Sequence, residues 1–159
     1  LLETKLLFEE TQDDESLEQS INPLSGLVEE DIDSGEFGLW SNSMKLLDNS
    51  RYSEAAENLR LLILSYPNGT YTGDAYFWLG EIYLVQEMFE DSSEILNAFT
   101  TKFDDHPRKA DGLYKLALAK LNLEEFDSAE TILQEVISNY PNSGAALLAE
   151  QDLIKLQPQ

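Results

Sequence analysis

Apolar residues recur every three or four positions in two stretches of the chain that share one pattern. Ala55, Leu59, Leu62, Ile63 and Tyr66 form one stripe; Ala129, Leu133, Val136, Ile137 and Tyr140 form the other. This spacing sets each group on one face of a helix and predicts that the face is buried. Both stripes run into a turn, YPNG at 66–69 and YPNS at 140–143. The residue before a proline is pushed out of the α region, so both helices are expected to stop there. The two turns lie 74 residues apart, and the midpoint reads FDDH (103–106), with a proline late at Pro107.

Steps of 37 residues join Tyr52 to Phe89 and Phe126, Ala55 to Ser92 and Ala129, and Leu59 to Leu96 and Leu133. They also join Leu62 to Phe99 and Val136, and Tyr66 to Phe103 and Tyr140. Columns that keep their character through three copies identify an internal repeat. A second helical pattern precedes each stripe, over roughly 37–49, 74–87 and 110–123, after which a short break such as 48–51 follows. Each unit is therefore predicted to be a helical hairpin, with units at about 36–72, 73–109 and 110–143. Residues 144–157 read as a lone helix, because Ala149 shares a column with Ala75 and Gly112 and the unit then stops. A repeat array needs such a cap on its last open face.

The first helix of each unit has a small residue in one column, Ser43, Gly80 and Ala117. That column is expected to face the paired helix at Ala55, Ser92 and Ala129. Gly80 costs its helix about 1 kcal/mol relative to alanine, and a close crossing offsets this. On this reading Gly80→Leu is severe, whereas Gly80→Ala is mild because Ala117 holds the equivalent position.

Composition narrows the function. The 159 residues include 31 acidic and 10 basic ones, for a net charge of −21. Phosphate backbones and anionic membrane surfaces need Lys and Arg, so neither nucleic acid nor membrane is expected as a partner. The charge suits solubility and basic partners. No cysteine is present, which excludes disulfides, thiolate metal sites and a lipid-modified cysteine within these residues. No run approaches the roughly 18 apolar residues of a membrane span, and no signal peptide is visible. The chain opens on Leu-Leu rather than Met, as expected of a processed form or a fragment. Residues 1–35 are read as a mostly disordered acidic leader; Leu17, Ile21, Leu24 and Val28 keep heptad spacing, but Pro23 interrupts them.

Chemistry is sparse. His106, the only histidine, sits in a turn beside Asp104 and Asp105 and is read as solvated rather than as a metal ligand. The clusters at 13–15 and 29–31 lack the glycine-bearing loop of a calcium hand. There is no phosphate-binding glycine loop and no nucleophile–base pair, so no cofactor, no metal and no enzymatic activity are expected.

The motif residues carry a resemblance. Tyr76, Leu79, Gly80, Tyr83, Ser92 and Leu96 of the second unit, and Leu113, Leu116, Ala117, Ala129, Leu133 and Pro141 of the third, are similar to the tetratricopeptide pattern. The first unit supplies Leu39, Asn42, Ser43, Ala55, Leu59 and Pro67. The resemblance implies an all-α, right-handed solenoid of three hairpins plus a C-terminal capping helix. Units here are three residues longer than the usual 34, in links such as 68–72.

YPNGTYTGDAYFWLGEIY (66–83) and the stretch from Lys109 to Leu156 further resemble the C-terminal domain of the Tol-Pal-associated cell division coordinator family, CpoB or YbgF. That resemblance implies a periplasmic scaffold whose partners are TolA and a bifunctional peptidoglycan synthase. The family's homotrimer would require a coiled coil upstream of Leu1. Another envelope adaptor, such as an outer-membrane assembly subunit, is the alternative it leaves open.

Tetratricopeptide first helices line a concave face, which gives meaning to one more column. Trp40, Phe77 and Tyr114 repeat at 37-residue spacing, with Met44, Glu81 and Leu118 four residues on along the same helical face. Two readings are open: aromatic anchors in a peptide-binding groove, with Phe77 the first choice and Glu81 drawing a basic segment, or packing between adjacent first helices. The basic clamp that some arrays use for terminal carboxylates is missing from these columns. For the leader, the expected outcome is that deleting residues 1–35 shifts stability in denaturant by less than about 2 kcal/mol; a larger loss would show that it packs on the array.

Overall fold

Helix-forming runs and their stops recur in register along the chain. The computed structural model describes residues 35–158, so the acidic leader lies outside the described residues except for its last position. The helices are α1 (Glu36–Asp48), α2 (Tyr52–Ser65), α3 (Thr72–Val85), α4 (Phe89–Lys102), α5 (Lys109–Asn122), α6 (Phe126–Asn139) and α7 (Gly144–Leu156). No strand occurs among the described residues. None of these helices is long and apolar enough to cross a membrane.

The second helix of every hairpin closes with the same turn. The backbone N–H groups of Gly69, His106 and Ser143 donate to the carbonyls of Tyr66, Phe103 and Tyr140, each at 3.0 Å. FDDH makes this turn without a proline at its second position, so YPNG, FDDH and YPNS are one structural element. In the last of the three, Ser143 also caps α7, accepting from the Ala146 N–H at 3.0 Å.

The turn inside each hairpin, at the short break expected at 48–51 and its equivalents, is equally regular. Ser50, Glu87 and Glu124 adopt positive φ of 57°, 59° and 61°. The next residue's N–H then reaches back to close the helix: Arg51 to Leu46 O (2.9 Å), Met88 to Tyr83 O (2.8 Å) and Glu125 to Lys120 O (2.9 Å). These are Schellman ends built on non-glycine residues, where a left-handed backbone is less favourable than for glycine.

Neighbouring helices pack in succession, and α5 also packs on α3, and α7 on α5. The second helices α2, α4 and α6 have no comparable contact with one another. The stack therefore curves, with first helices on the inside. One core joins Leu46, Leu59, Leu62, Phe77, Leu96 and Phe99 through to Leu116. A second holds Leu113, Ala117, Leu133, Val136, Ala145 and Ala149.

The small-residue column faces the paired helix, as expected. Ser92 Oγ, fully buried, donates to the Gly80 carbonyl at 2.9 Å. The space a Gly80 side chain would need is filled by Leu96, with Ile95 Cγ2 at 3.1 Å from the Cβ position. Leu96 is itself fully buried. This corrects the expectation that Gly80→Ala is mild: Ala117 sits in the same column, but the second hairpin has already spent that room on a closer crossing.

Where the closing link of a hairpin returns to the start of that hairpin's first helix, small residues again mark where a neighbouring side chain sits. A Cβ on Gly69 would overlap the Glu36 carboxylate. That carboxylate accepts the Tyr71 N–H at 2.6 Å. One unit later the roles invert. His106 stands in the Gly69 column and its ring fills the space over Gly73, with Cδ2 at 2.9 Å from the Cβ position. Its Nδ1 accepts the Arg108 N–H at 3.0 Å, in the column of Tyr71. His106 Nε2 points to Asp74 Oδ1 at 3.2 Å, and the ring packs edge-on to Phe99, centroids 5.0 Å apart. The reading of His106 as a solvated turn residue is therefore corrected: it clasps the link that closes the second hairpin onto the start of α3, because the absent side chain of Gly73 lets its ring in.

Gly80→Ala is expected to destabilise by about 1 kcal/mol or more despite its better helix propensity, since overpacking costs about 1–3 kcal/mol. Gly80→Leu should exceed that range. Chemical denaturation of both variants checks this, and an unchanged alanine variant would mean that Leu96 can move aside.

Candidate functional site

The inner surface made by α1, α3, α5 and α7 is the candidate site, and the structure sorts the predicted column residue by residue. Trp40 is half-buried and stacks on Tyr71, with centroids 5.5 Å apart and planes 16° apart. Phe77 is 2% exposed. Its ring lies against Phe99 at 5.7 Å and edge-on to Trp78 at 5.4 Å. The Arg108 guanidinium covers it at 5.2 Å from the ring centre. Tyr114 is half-buried, and its hydroxyl donates to Asp152 Oδ2 at 2.6 Å. Burial first, then the hydrogen bond to Asp152 and the charge of that carboxylate, push the Tyr114 phenol well above its usual range.

Phe77 as the leading groove anchor is thus corrected. It belongs to the core, because the residue 31 positions on covers it, just as Tyr71 covers Trp40. The covering residue is aromatic at one junction and cationic at the next, and both interact well with a ring face. Phe77 packs mainly inside its own hairpin, on Phe99 of α4, and meets the next first helix only through Arg108 at the start of α5.

The ring that α3 does offer is Trp78, half-buried, with the exposed Arg108 guanidinium 5.3 Å over its centre. Sequence reasoning missed it because its column is Ser41, Trp78 and Lys115, with no aromatic repeat to mark it. Being a tryptophan one position around the helix from Phe77 was the only signal.

The remaining column residues, Met44, Glu81 and Leu118, are all half-buried on this face. Glu81 is already paired: Lys115 Nζ lies 2.6 Å from its Oε2, bridging α3 and α5. Asp152 likewise holds Lys155 Nζ at 3.2 Å besides the Tyr114 hydroxyl. Glu81 is thus not a lone charge awaiting a basic ligand. Acid is denser outside: α6 carries Asp127, Glu130 and Glu135 with no base, and α4 carries Glu90, Asp91 and Glu94 against Lys102. The inner face is instead a strip of half-buried rings and aliphatic groups crossed by compensated ion pairs. It can grip an apolar or amphipathic segment, and its charges can fix that segment's register. Among the described residues no three His, Asp or Glu side chains converge as a metal site.

Comparison with known proteins agrees with this geometry. Residues 111–143 match the family model described as tetratricopeptide repeat. A search of curated proteins gives no significant match. Among solved structures, MamA (41 to the end) from Desulfovibrio magneticus RS-1 superposes with TM-score 0.65 at 18% identity, over 76% of this chain and 63% of that one. Another MamA crystal structure gives TM-score 0.59 at 21% identity, over 75% and 70% of the two chains. A Podosopora anserina protein described as a kinesin light chain with nearly identical TPR-like repeats gives 0.63 at 16%, over 87% and 73%. The chain spans 63–64% of the length of the first two MamA structures. Three hairpins in one register, a repeat-model match on the third and these likenesses together give the chain the all-α tetratricopeptide solenoid fold.

Proposed function

We propose that the protein is a non-catalytic protein–protein interaction scaffold that holds a partner segment along its first helices. The observation that carries this is the inner strip itself: Trp40, Trp78 and Tyr114 are only half-buried beside Met44 and Leu118, while the Glu81 and Asp152 carboxylates among them each lie against a lysine. Large rings held rigid by packing make efficient anchors. A curved array of stacked hairpins is an extended surface suited to a peptide or helix.

The finer reading rests on the resemblance of residues 66–83 and 109–156 to the CpoB family. On that basis the protein is a periplasmic coordinator linking the Tol-Pal system and peptidoglycan synthesis to outer-membrane constriction during division. Its partners are then TolA and a bifunctional peptidoglycan synthase.

The test is calorimetric titration of the full chain with the purified periplasmic part of TolA, repeated with Trp78→Ala and Phe77→Ala. Trp78→Ala is expected to keep its helicity and to weaken binding at least tenfold, as truncation of a buried anchor does. Phe77→Ala should lose about 3–5 kcal/mol of folding stability instead. Unchanged binding by Trp78→Ala would move the contact off the inner strip. No binding by the parent chain would reject TolA as partner and leave the scaffold reading to be tried with the synthase.

A further inference from the structure

Charge is unevenly placed on this molecule. Of the described helices only α5 is net positive, because Lys109, Lys115 and Lys120 outnumber Asp111. Arg108 stands at its N-cap. Residues 108–122 thus hold four of the 10 basic residues of the chain and one of its 31 acidic ones. α5 is also central to the inner surface, packed between α3 and α7. The net charge of −21 is carried elsewhere and does not describe what a segment lying along the strip would meet.

The three lysines each hold a carboxylate: Lys109 that of Asp104, Lys115 that of Glu81 and Lys120 that of Glu125. Arg108 differs. It is exposed, and among the described residues no carboxylate pairs with it, Asp111 one turn along included. Its guanidinium lies over the rings of Phe77 and Trp78, 5.2 and 5.3 Å from their centres. A ring face attracts the cation but offers no lone pair. The planar N–H fork, which matches a carboxylate, is therefore held in place without a strong acceptor.

Given the reading of the inner strip as the partner surface, on which this rests, we infer that the partner is an acidic–apolar segment. A Glu or Asp of that segment accepts from the Arg108 guanidinium above Trp78, and large apolar residues beside it pack on Trp78, Tyr114 and Leu118. This reverses the expectation of a basic segment drawn by Glu81, whose carboxylate already lies against Lys115. A bidentate arginine–carboxylate pair is stronger than a neutral hydrogen bond and fixes orientation. Arg108 suits the pairing, since a guanidinium is weakly hydrated and the neighbouring apolar contacts exclude water from it. A lysine or arginine at the same place in a partner would meet a like charge, so basic segments are rejected there.

Selection of random phage-displayed peptides of about 12 residues against the full chain tests this. Selected peptides are sorted by whether Trp78→Ala weakens them, which identifies those seated on the strip. These are expected to share an Asp or Glu beside large apolar residues. Exchanging that residue for its amide should weaken binding to the parent about tenfold or more. The same exchange should cost less than about twofold on Arg108→Gln, with circular dichroism checking its fold. A merely structural role for Arg108 would not produce that coupling. Peptide composition and the cost of the exchange on the parent need no variant of Arg108. Absence of any Trp78-dependent peptide would overturn the strip as partner surface and this inference with it. Trp78-dependent peptides that share no acidic residue, or an amide exchange that costs the same on parent and Arg108→Gln, would overturn this inference alone.

Discussion

Phe99 enters the gap left by Gly112, and the rest of the array is arranged around that contact. A Cβ on Gly112 would lie 2.5 Å from Phe99 Cε1 and 2.6 Å from Cδ1, so the ring takes the space a side chain would fill. The same ring reaches Phe77 in its own hairpin at 5.7 Å, and Phe103 and His106 in the following link at 6.1 and 5.0 Å. It thereby ties the second helix of one unit to the first helix of the next. The equivalent columns hold Leu62 with Ala75 at the preceding junction and Val136 with Ala149 at the following one, all buried. The largest residue of one column faces the smallest of the other. Near-constant summed volume at each junction lets the hairpins stack in one register at interior packing density.

This constraint decides what the inner face can offer. Phe77 is held between Phe99 below and Arg108 above, and so cannot also be a ligand anchor. Trp78, one position around the helix, escapes the junction and keeps an accessible edge under the same guanidinium. The Glu81–Lys115 and Tyr114–Asp152 pairs link successive first helices across the surface a partner would follow. Binding chemistry is thus confined to positions that the stacking leaves over.

What could be read in the sequence was whatever recurs at 37 residues in chemical kind. The stripes from Ala55 and Ala129, the shared turn at YPNG, FDDH and YPNS, and the small column through Gly80 all did. What could not be read depends on contacts between different columns. Glu36 over Gly69 and His106 over Gly73 satisfy equivalent backbone N–H groups with unlike side chains from opposite partners, so no column shows the pattern. Ser50, Glu87 and Glu124 hold left-handed turns without a glycine to mark them. Trp78 lacked an aromatic echo. The burial of Phe77 depended on Arg108, which shares its column with Tyr71 and not with any chemical likeness.

The most direct measurement is a double-mutant cycle on Phe99→Leu and Gly112→Ala, read by equilibrium unfolding. Together these substitutions install the Leu–Ala combination that the preceding junction already carries at Leu62 and Ala75. Each single variant should be destabilised, one by a cavity and the other by overlap with the ring. The double variant should recover part of the loss, giving a favourable coupling of about 1 kcal/mol or more. Strictly additive losses would contradict the claim that volume exchanged between these two columns sets the stacking of the array.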